Sequence, residues 1–186
     1  MMRAFLAIEI PEHTRLKVDD FIQEQSKKDL PVKWVRFENL HVTLKFLGEI
    51  DDRKKAEIIP AIKEIAEMYK PFKIDLEGVG CFPGTKNPRV LWIGVKQGAE
   101  QLRRLVLQLE ERLTRFGFKR EKRYHAHLTI GRIKKFCKVD DILSKNITTE
   151  AFSINAITLF RSTLKPEGPI YEELKKFKLG YDTLDC

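Results

Sequence analysis

Two short segments of this 186-residue sequence repeat one pattern of histidine, aliphatic residue, threonine and aliphatic residue. The segments are His41–Leu44 and His127–Ile130, and they hold two of the four histidines in the chain. In a β-strand, residues i and i+2 project from one face and residues i+1 and i+3 from the other. Each segment, as a strand, therefore presents an imidazole and a hydroxyl on one face and buries two aliphatic side chains on the other.

Two imidazoles and two hydroxyls that converge suit the cleavage of a phosphodiester. One histidine can accept the proton of the attacking water or alcohol while the other protonates the leaving oxygen, because an unperturbed imidazole has a pKa of about 6.5. The hydroxyls of Thr43 and Thr129 can donate hydrogen bonds to the non-bridging phosphate oxygens, where charge accumulates. This chemistry calls for no metal ion, and we expect no cofactor.

The remaining histidines and two aromatic residues have less specific interpretations. His13 lies near the start of a predicted helix and is expected to be exposed. His125 precedes His127 by two residues, a spacing found at metal sites, but a zinc site needs at least a third ligand and the sequence offers none nearby. Tyr124 and Trp34 could stack on nucleobases or serve as half-buried packing residues.

The two motifs occupy matching places in two similar stretches of chain. A predicted strand beginning at Ala4 precedes His41 by 37 residues, and one beginning at Val90 precedes His127 by 37 residues. Leu16 and Leu102 also match at the 86-residue spacing of the histidines. We interpret residues 1–186 as one α+β domain of two duplicated, pseudo-symmetric lobes, each with an antiparallel sheet flanked by helices, and place the active site in the cleft between them.

Hydrophobic periodicity predicts the elements that hold these strands. A helix follows Pro11, and a second begins at Asp51-Asp52, which Pro60 should kink or shorten. Apolar residues between Leu102 and Phe116 keep a 3.6-residue period and predict the most regular helix. Further strands are expected at 72–79, 89–95, 152–164 and 171–179, with extended chain at 34–47 and a short helix at 139–143.

Composition narrows the functional class. The chain has 35 basic and 27 acidic residues, a net charge of +8, which favours an anionic partner such as nucleic acid. No stretch approaches the roughly 20 apolar residues of a membrane helix, and the N-terminal apolar run is too short for a signal peptide. Cys81, Cys137 and Cys186 form no C-x-x-C pair and are expected to be reduced thiols, so we expect a cytoplasmic protein.

Longer segments around the motifs resemble a known family. His41–Gly48 and His127–Arg132 are similar to the two signature motifs of the two-histidine phosphoesterases, and the resemblance is closest to the RNA 2′,3′-cyclic phosphodiesterases, also called 2′-5′ RNA ligases. It extends over nearly the whole chain. Further matching segments are Arg3–Ile8, Gly80–Pro83, Pro88–Trp92, Ser162–Leu164 and Gly168–Tyr171.

The resemblance implies a bilobal α+β enzyme that opens RNA 2′,3′-cyclic phosphate ends to 2′-phosphates, with 2′-5′ ligation as a side activity. It implies His41 as proton donor, His127 as proton acceptor, and Thr43, Thr129 and Arg132 as phosphate ligands. Strict strand alternation places Arg132 on the face opposite His127, so a bend or a strand end must intervene. RNA with cyclic phosphate ends, including tRNA fragments, is the expected partner, and we expect a monomer.

Two alternatives remain open on the sequence. The same cleft could act on small cyclic nucleotides, or the chain could be a non-catalytic RNA-binding module that uses a basic groove. Turnover separates the enzyme from the binding module, and relative rates on mononucleotides and RNA separate the two enzymes.

Overall fold

Ten strands and four helices follow one another along residues 1–121 and 123–180, the part of the chain that this computed structural model describes. Cys186 lies outside the described residues. The elements are β1 (Met2–Glu9), α1 (Glu12–Ser26), β2 (Val32–Trp34), a 3₁₀ turn (Phe37–Asn39), β3 (His41–Ile50), α2 (Asp52–Glu67), β4 (Phe72–Ile74), β5 (Leu76–Phe82), β6 (Val90–Val95), α3 (Ala99–Thr114), β7 (His127–Ile133), α4 (Asp140–Leu143), β8 (Phe152–Ile154), β9 (Ala156–Lys165) and β10 (Gly168–Lys178).

Two antiparallel groups of strands form the main sheet. One runs in the order β10-β9-β1-β3, and the other runs β7-β6-β5 with β2 paired to β7. The groups meet where Val42 of β3 pairs with Leu128 of β7. The predicted α+β class with antiparallel sheets and flanking helices is therefore confirmed, and the two His-x-Thr strands are adjacent.

Strands are exchanged between the two halves of the chain. β5 comes from the first half but pairs with β6, while β9 comes from the second half and pairs with β1. The small β4–β8 sheet also links the halves. Each group of strands thus draws on both halves of the sequence, an exchange that the repeat alone does not predict.

The pairing of β1 with β3 and of β6 with β7 shows that the opening strands of the two halves align one residue away from the alignment expected from the sequence. Phe5 pairs with Phe46, and Val90 pairs with Arg132. Because Phe46 and Arg132 occupy equivalent positions in the two motif strands, Val90 corresponds to Phe5. The equivalence expected between Ala4 and Val90 is off by one position.

The helices pack apolar faces against the sheet. Leu102, Leu105 and Leu109 of α3 are fully buried, as the periodicity predicts. The matching of Leu16 with Leu102 is wrong, because Leu16 is exposed and α1 instead buries its Val18, Phe21 and Ile22 side. α2 continues through Pro60 to Glu67, so the proline does not shorten it. Among the described residues, no helix combines the length and apolar character needed to cross a bilayer.

Candidate active site

A cleft of about 660 Å³ lies over the junction of β3 and β7. All five residues that the sequence singles out line it: His41, Thr43, His127, Thr129 and Arg132. The chain reversal built into an antiparallel pair centred on Val42 and Leu128 gives the two motifs a local pseudo-two-fold relationship. The expected convergence of two imidazoles and two hydroxyls is present in the structure.

Strand alternation orients the first part of each motif. Val42 and Leu128 are fully buried, as are Leu44 and Ile130 apart from a small fraction of Leu44. These aliphatic side chains anchor β3 and β7 in the core, and burying each contributes roughly 1.5–3 kcal/mol. The histidines and threonines, which alternate with them along each strand, consequently face the cleft.

A β-bulge brings Arg132 to the same face as His127. Trp92 of β6 pairs with Thr129 and the adjacent Leu91 pairs with Gly131, so Ile130 is an extra residue in β7. An extra residue shifts the alternation of the side chains that follow it. The bulge supplies the bend that strict alternation required.

β3 carries an equivalent bulge. Ala7 pairs with Thr43 and Leu6 pairs with Lys45, so Leu44 is the extra residue. The shift turns Lys45 into the core and directs Phe46 to the cleft, where 53% of its surface is exposed. Phe46 and Arg132 are therefore counterparts with different chemistry: one half of the cleft presents an aromatic ring and the other a cation.

Backbone carbonyls fix the tautomer of both histidines. Nδ1 of His41 lies 2.7 Å from the carbonyl oxygen of Asn39, and Nδ1 of His127 lies 2.7 Å from that of His125. A carbonyl only accepts, so each Nδ1 carries a proton and donates it. In the neutral rings Nε2 is the nitrogen with a free lone pair, and Nε2 of His41 lies 3.0 Å from Oγ1 of Thr43.

Burial and positive charge lower the pKa of both imidazoles. Burial lowers the pKa of His41 from 6.5 to about 4; the Asn39 carbonyl opposes this, and the charges of His127 and Arg132 add to it. Burial also lowers the pKa of His127, with a smaller opposing effect of the His125 carbonyl and further lowering by the charges of His125 and Arg132. In the free enzyme at pH 7, His41 is therefore neutral.

Aromatic rings that sequence reasoning did not assign to the site surround both histidines. The ring of His41 lies 5.0 Å from Phe5 and 5.2 Å from Tyr171, measured between centroids. The ring of His127 lies 5.1 Å from Phe82, and Trp92 lies 6.2 Å away. These rings account for the desolvation of the imidazoles. The segments that contain these rings were included in the family resemblance, and that inclusion was the one indication in the sequence that they belong to the site.

The structure shows the surroundings of the two aromatic residues and the two histidines whose roles the sequence left open. Tyr124 is half-buried and donates from its hydroxyl to the carbonyl oxygen of Thr43, 3.1 Å away, which favours the packing role. Trp34 lines the cleft. His125 packs its ring 4.7 Å from Trp92, and no group of three or more potential metal ligands occurs among residues 1–121 and 123–180. His13 is exposed on α1, as predicted.

Positive charge dominates the cleft. Among the described residues that line it, five are cationic, namely Arg3, Lys33, Arg36, Arg132 and Lys134, and Glu167 is the acidic one. A groove lined by one sign of charge raises the local concentration of anionic ligands. The cleft is thus suited to a substrate that carries phosphates.

Comparison with known proteins agrees with this geometry. A family model described as "LigT like Phosphoesterase" matches residues 8–92 and 93–171. The chain belongs to the LigT-like phosphoesterase family. The expected family membership is confirmed, and with it a hydrolytic enzyme class acting on phosphoesters.

The similarity to individual known proteins extends over nearly the whole chain. The RNA 2′,3′-cyclic phosphodiesterase of Archaeoglobus fulgidus is 44% identical over 181 residues, which cover 95% of this chain and 100% of the relative. The crystal structure of TT0787 of Thermus thermophilus superimposes with a TM-score of 0.85 at 27% identity, covering 97% of this chain and 100% of that one. E. coli LigT complexed with 3′-AMP gives a TM-score of 0.73 at 25% identity, covering 97% and 98%.

Proposed function

We propose that this enzyme hydrolyses RNA ends that carry a 2′,3′-cyclic phosphate to 2′-phosphate ends. The observation that supports the proposal is the matched pair of histidines, each with Nδ1 bound to a carbonyl and Nε2 left for proton transfer, in one cationic cleft. The RNA substrate follows from the names of the relatives, which act on RNA 2′,3′-cyclic phosphates.

The reaction uses both histidines once. Nε2 of neutral His127 accepts a proton from water as the water oxygen attacks phosphorus. The bond between phosphorus and the 3′ oxygen breaks, and Nε2–H of protonated His41 gives its proton to that oxygen. The products are a 2′-phosphate and a free 3′-hydroxyl, and the pair is left with the opposite protonation states.

Thr43, Thr129 and Arg132 stabilise the phosphate in this scheme. When His41 is neutral, the Thr43 hydroxyl donates to Nε2 across 3.0 Å. Protonation of His41 makes Nε2 a donor, so the Thr43 hydroxyl can turn its proton toward a phosphate oxygen. Thr129 provides the equivalent hydroxyl on β7, and the guanidinium of Arg132 offers charge-assisted hydrogen bonds to the same group.

Because the pKa of His41 is low in the free enzyme, the substrate itself must help to protonate this residue. A bound phosphate anion favours the charged imidazole and raises its pKa. His41 therefore becomes protonated as the cyclic phosphate binds. The free enzyme avoids the repulsion between two imidazolium rings and Arg132.

Ligation follows from the same steps when a 5′-hydroxyl replaces water. Its oxygen attacks phosphorus, the 3′ oxygen leaves with the proton from His41, and a 2′-5′ linkage forms without a nucleotide cofactor. Hydrolysis predominates in dilute solution because water is in excess.

We infer a monomer that works in the cytoplasm, where Cys81 and Cys137, both free thiols, would remain reduced.

Product analysis tests the proposal. RNA ending in a 2′,3′-cyclic phosphate, incubated with the enzyme and EDTA, should give a 2′-phosphate end, resistant to a 3′-specific phosphatase. A 3′-phosphate product, or activity that EDTA abolishes, would contradict the mechanism. Binding without turnover would favour the RNA-binding module, and faster turnover of cyclic mononucleotides than of RNA would favour the small-molecule enzyme.

A further inference from the structure

The short strand β2 lies on the same side of the cleft as His41. β3, which begins with His41, pairs with β7 at Leu128, and β2 pairs with β7 further along the same edge, from Gly131 to Ile133. The other edge of β7 is occupied by β6. Lys33 of β2, which lines the cleft, therefore stands on the His41 side of it.

Contacts with the start of β10 support this placement. Nζ of Lys33 lies 3.9 Å from the position that a Cβ would take on Gly168. Beside it, the side-chain amide of Asn39 donates to the carbonyl oxygen of Pro169, 2.9 Å away, while the Asn39 carbonyl accepts from Nδ1 of His41. β2, the start of β10 and the segment that holds His41 thus form one wall of the cleft.

Three cations meet at this wall without a neutralising partner. Lys33 pairs in register with Arg132, and Lys134 follows β7 by one residue; all three line the cleft. Like charges directly opposite each other on neighbouring strands destabilise a sheet. Within residues 1–121 and 123–180, none of the three forms an ion pair. An anionic ligand is the group that would relieve their repulsion.

The proposed reaction places the rest of the substrate on the same side. In an in-line displacement the leaving 3′ oxygen, with the ribose that carries it, lies toward the acid, His41. In RNA that ribose is joined through its 5′ oxygen to the preceding phosphate, one nucleotide from the cyclic one. Arg132 is assigned to the cyclic phosphate, so Lys33 and Lys134 remain for the next phosphate of the strand.

The remainder of the cleft offers less to a charged backbone. Phe46 and Leu164 line it with exposed apolar side chains. Arg3 of β1 is the cation that lies away from β2 and the segment that follows it. The charge distribution therefore favours a strand that leaves the cleft past β2.

We propose that Lys33 and Lys134 bind the last internucleotide phosphate of the substrate RNA, immediately 5′ of the nucleotide that carries the cyclic phosphate. The proposal rests on the proposed function of the cleft. A basic groove that follows the backbone is the usual means of binding single-stranded RNA. A cyclic mononucleotide with a free 5′-hydroxyl lacks this phosphate, so the two lysines would make the enzyme select RNA over mononucleotides.

Three cyclic phosphate substrates test the site: a mononucleotide, a dinucleotide, and the same dinucleotide with an uncharged methylphosphonate linkage. The unmodified enzyme should show a kcat/KM at least about tenfold higher on the charged dinucleotide than on the other two. Combined Lys33→Ala and Lys134→Ala should lower the ratio of kcat/KM on dinucleotide to that on mononucleotide at least about tenfold, because charge-assisted contacts to the phosphate are lost. The paired Lys→Arg changes should keep most of the ratio.

Two further variants serve as controls. Lys135→Ala removes an exposed charge outside the cleft and should leave the ratio unchanged. An unchanged ratio in the double alanine variant, an equal fall on both substrates, or equal rates of the unmodified enzyme on the charged and uncharged dinucleotides would overturn the site. A fall with Arg3→Ala but not with the lysine variants would place the strand at the β1 end and overturn it as well. Hydrolysis of none of the three substrates by the unmodified enzyme would instead contradict the proposed function.

Discussion

Val42 pairs with Leu128 at the register position that joins β3 to β7. Both side chains are fully buried, so the junction of the two strands is fixed from the core side. His41 and Thr43 flank the first residue of this pair, and His127 and Thr129 flank the second. The proposed mechanism depends on this arrangement, because it requires the proposed acid and base to lie on opposite sides of a bound phosphorus atom.

Removal of either imidazole should therefore have a similar effect. His41→Ala and His127→Ala should each lower kcat for RNA cyclic phosphate hydrolysis by at least about 100-fold, the usual contribution of general acid–base catalysis. His13→Ala, on the exposed side of α1, is the matched control and should retain the full rate. Steady-state kinetics checks this, and full activity in either cleft variant would refute the assignment.

The pH dependence should differ between free and substrate-bound enzyme. The pKa of His41 is lowered to about 4 in the free enzyme, so kcat/KM should reach its maximum on the acid side of pH 6.5. A bound phosphate raises the pKa of both imidazoles, so the alkaline limb of the kcat profile should lie at higher pH than that of kcat/KM. Rates measured at low and at saturating substrate between pH 4 and 9 test this. Alkaline limbs that coincide in the two profiles would count against protonation of His41 on substrate binding.

Arg132 contributes to the same titration. Its charge lowers the pKa of both His41 and His127. Arg132→Gln should move the alkaline limb of the kcat/KM profile to higher pH while weakening phosphate binding and raising KM. Arg36→Gln, also in the cleft but bound to the carbonyl oxygen of Glu167, is the comparison. A raised KM with an unmoved pH profile would assign Arg132 to binding alone.

Catalysis should depend on the hydroxyl groups of Thr43 and Thr129 more than on the shape of their side chains. Thr43→Val and Thr129→Val keep the branched side chain but remove a donor to the developing charge, and each should lower kcat by about 100-fold. Thr43→Ser and Thr129→Ser retain the hydroxyl and should keep most of the activity. Equal rates for the valine and serine variants would show that the hydroxyls do not act on the phosphate.

A buried ion pair supports the chain segment that leads into β7. Nζ of Lys45 lies 2.8 Å from both carboxylate oxygens of Glu110 and 3.0 Å from the carbonyl oxygen of Lys119. The carboxylate of Glu110 also accepts from the backbone nitrogen of Glu121. Glu110→Leu leaves a buried, unpaired ammonium and should lower the free energy of unfolding by about 3–5 kcal/mol.

Pairing that change with Lys45→Met should restore much of the stability, since no unpaired buried charge remains. Glu111→Leu, on the exposed side of α3, should change stability little. Urea unfolding of the four proteins measures these effects. Equal losses in the single and double variants would mean that the pair stabilises by more than the mutual neutralisation of two charges.

Much of the site could be predicted from the sequence because strand alternation is local. The pattern in His41–Leu44 and His127–Ile130 fixes which side chains share a face. Alternation fails beyond the fourth residue of each motif: strict counting places Lys45 in the cleft and Arg132 in the core, and the structure shows the reverse. The reason is the bulge at Leu44 and at Ile130, which depends on pairing with β1 and β6 rather than on local composition.

Other features required the tertiary structure. The exchange of β5 and β9 between halves of the chain depends on long-range pairing that no local pattern records. The carbonyl partners of His41 and His127 come from residues two positions earlier, but the orientation of those carbonyls depends on backbone dihedral angles. The origin of the two lobes by duplication stays a prediction.

Replacing the leaving oxygen tests the division of roles between His41 and His127 most directly. A cyclic substrate with sulfur in place of the bridging 3′ oxygen has a leaving group that needs little protonation. His41→Ala should recover most of its lost rate on this substrate, while His127→Ala should remain slow because activation of water is still required. Recovery by His127→Ala instead, or by neither variant, would contradict the account of His41 as acid and His127 as base.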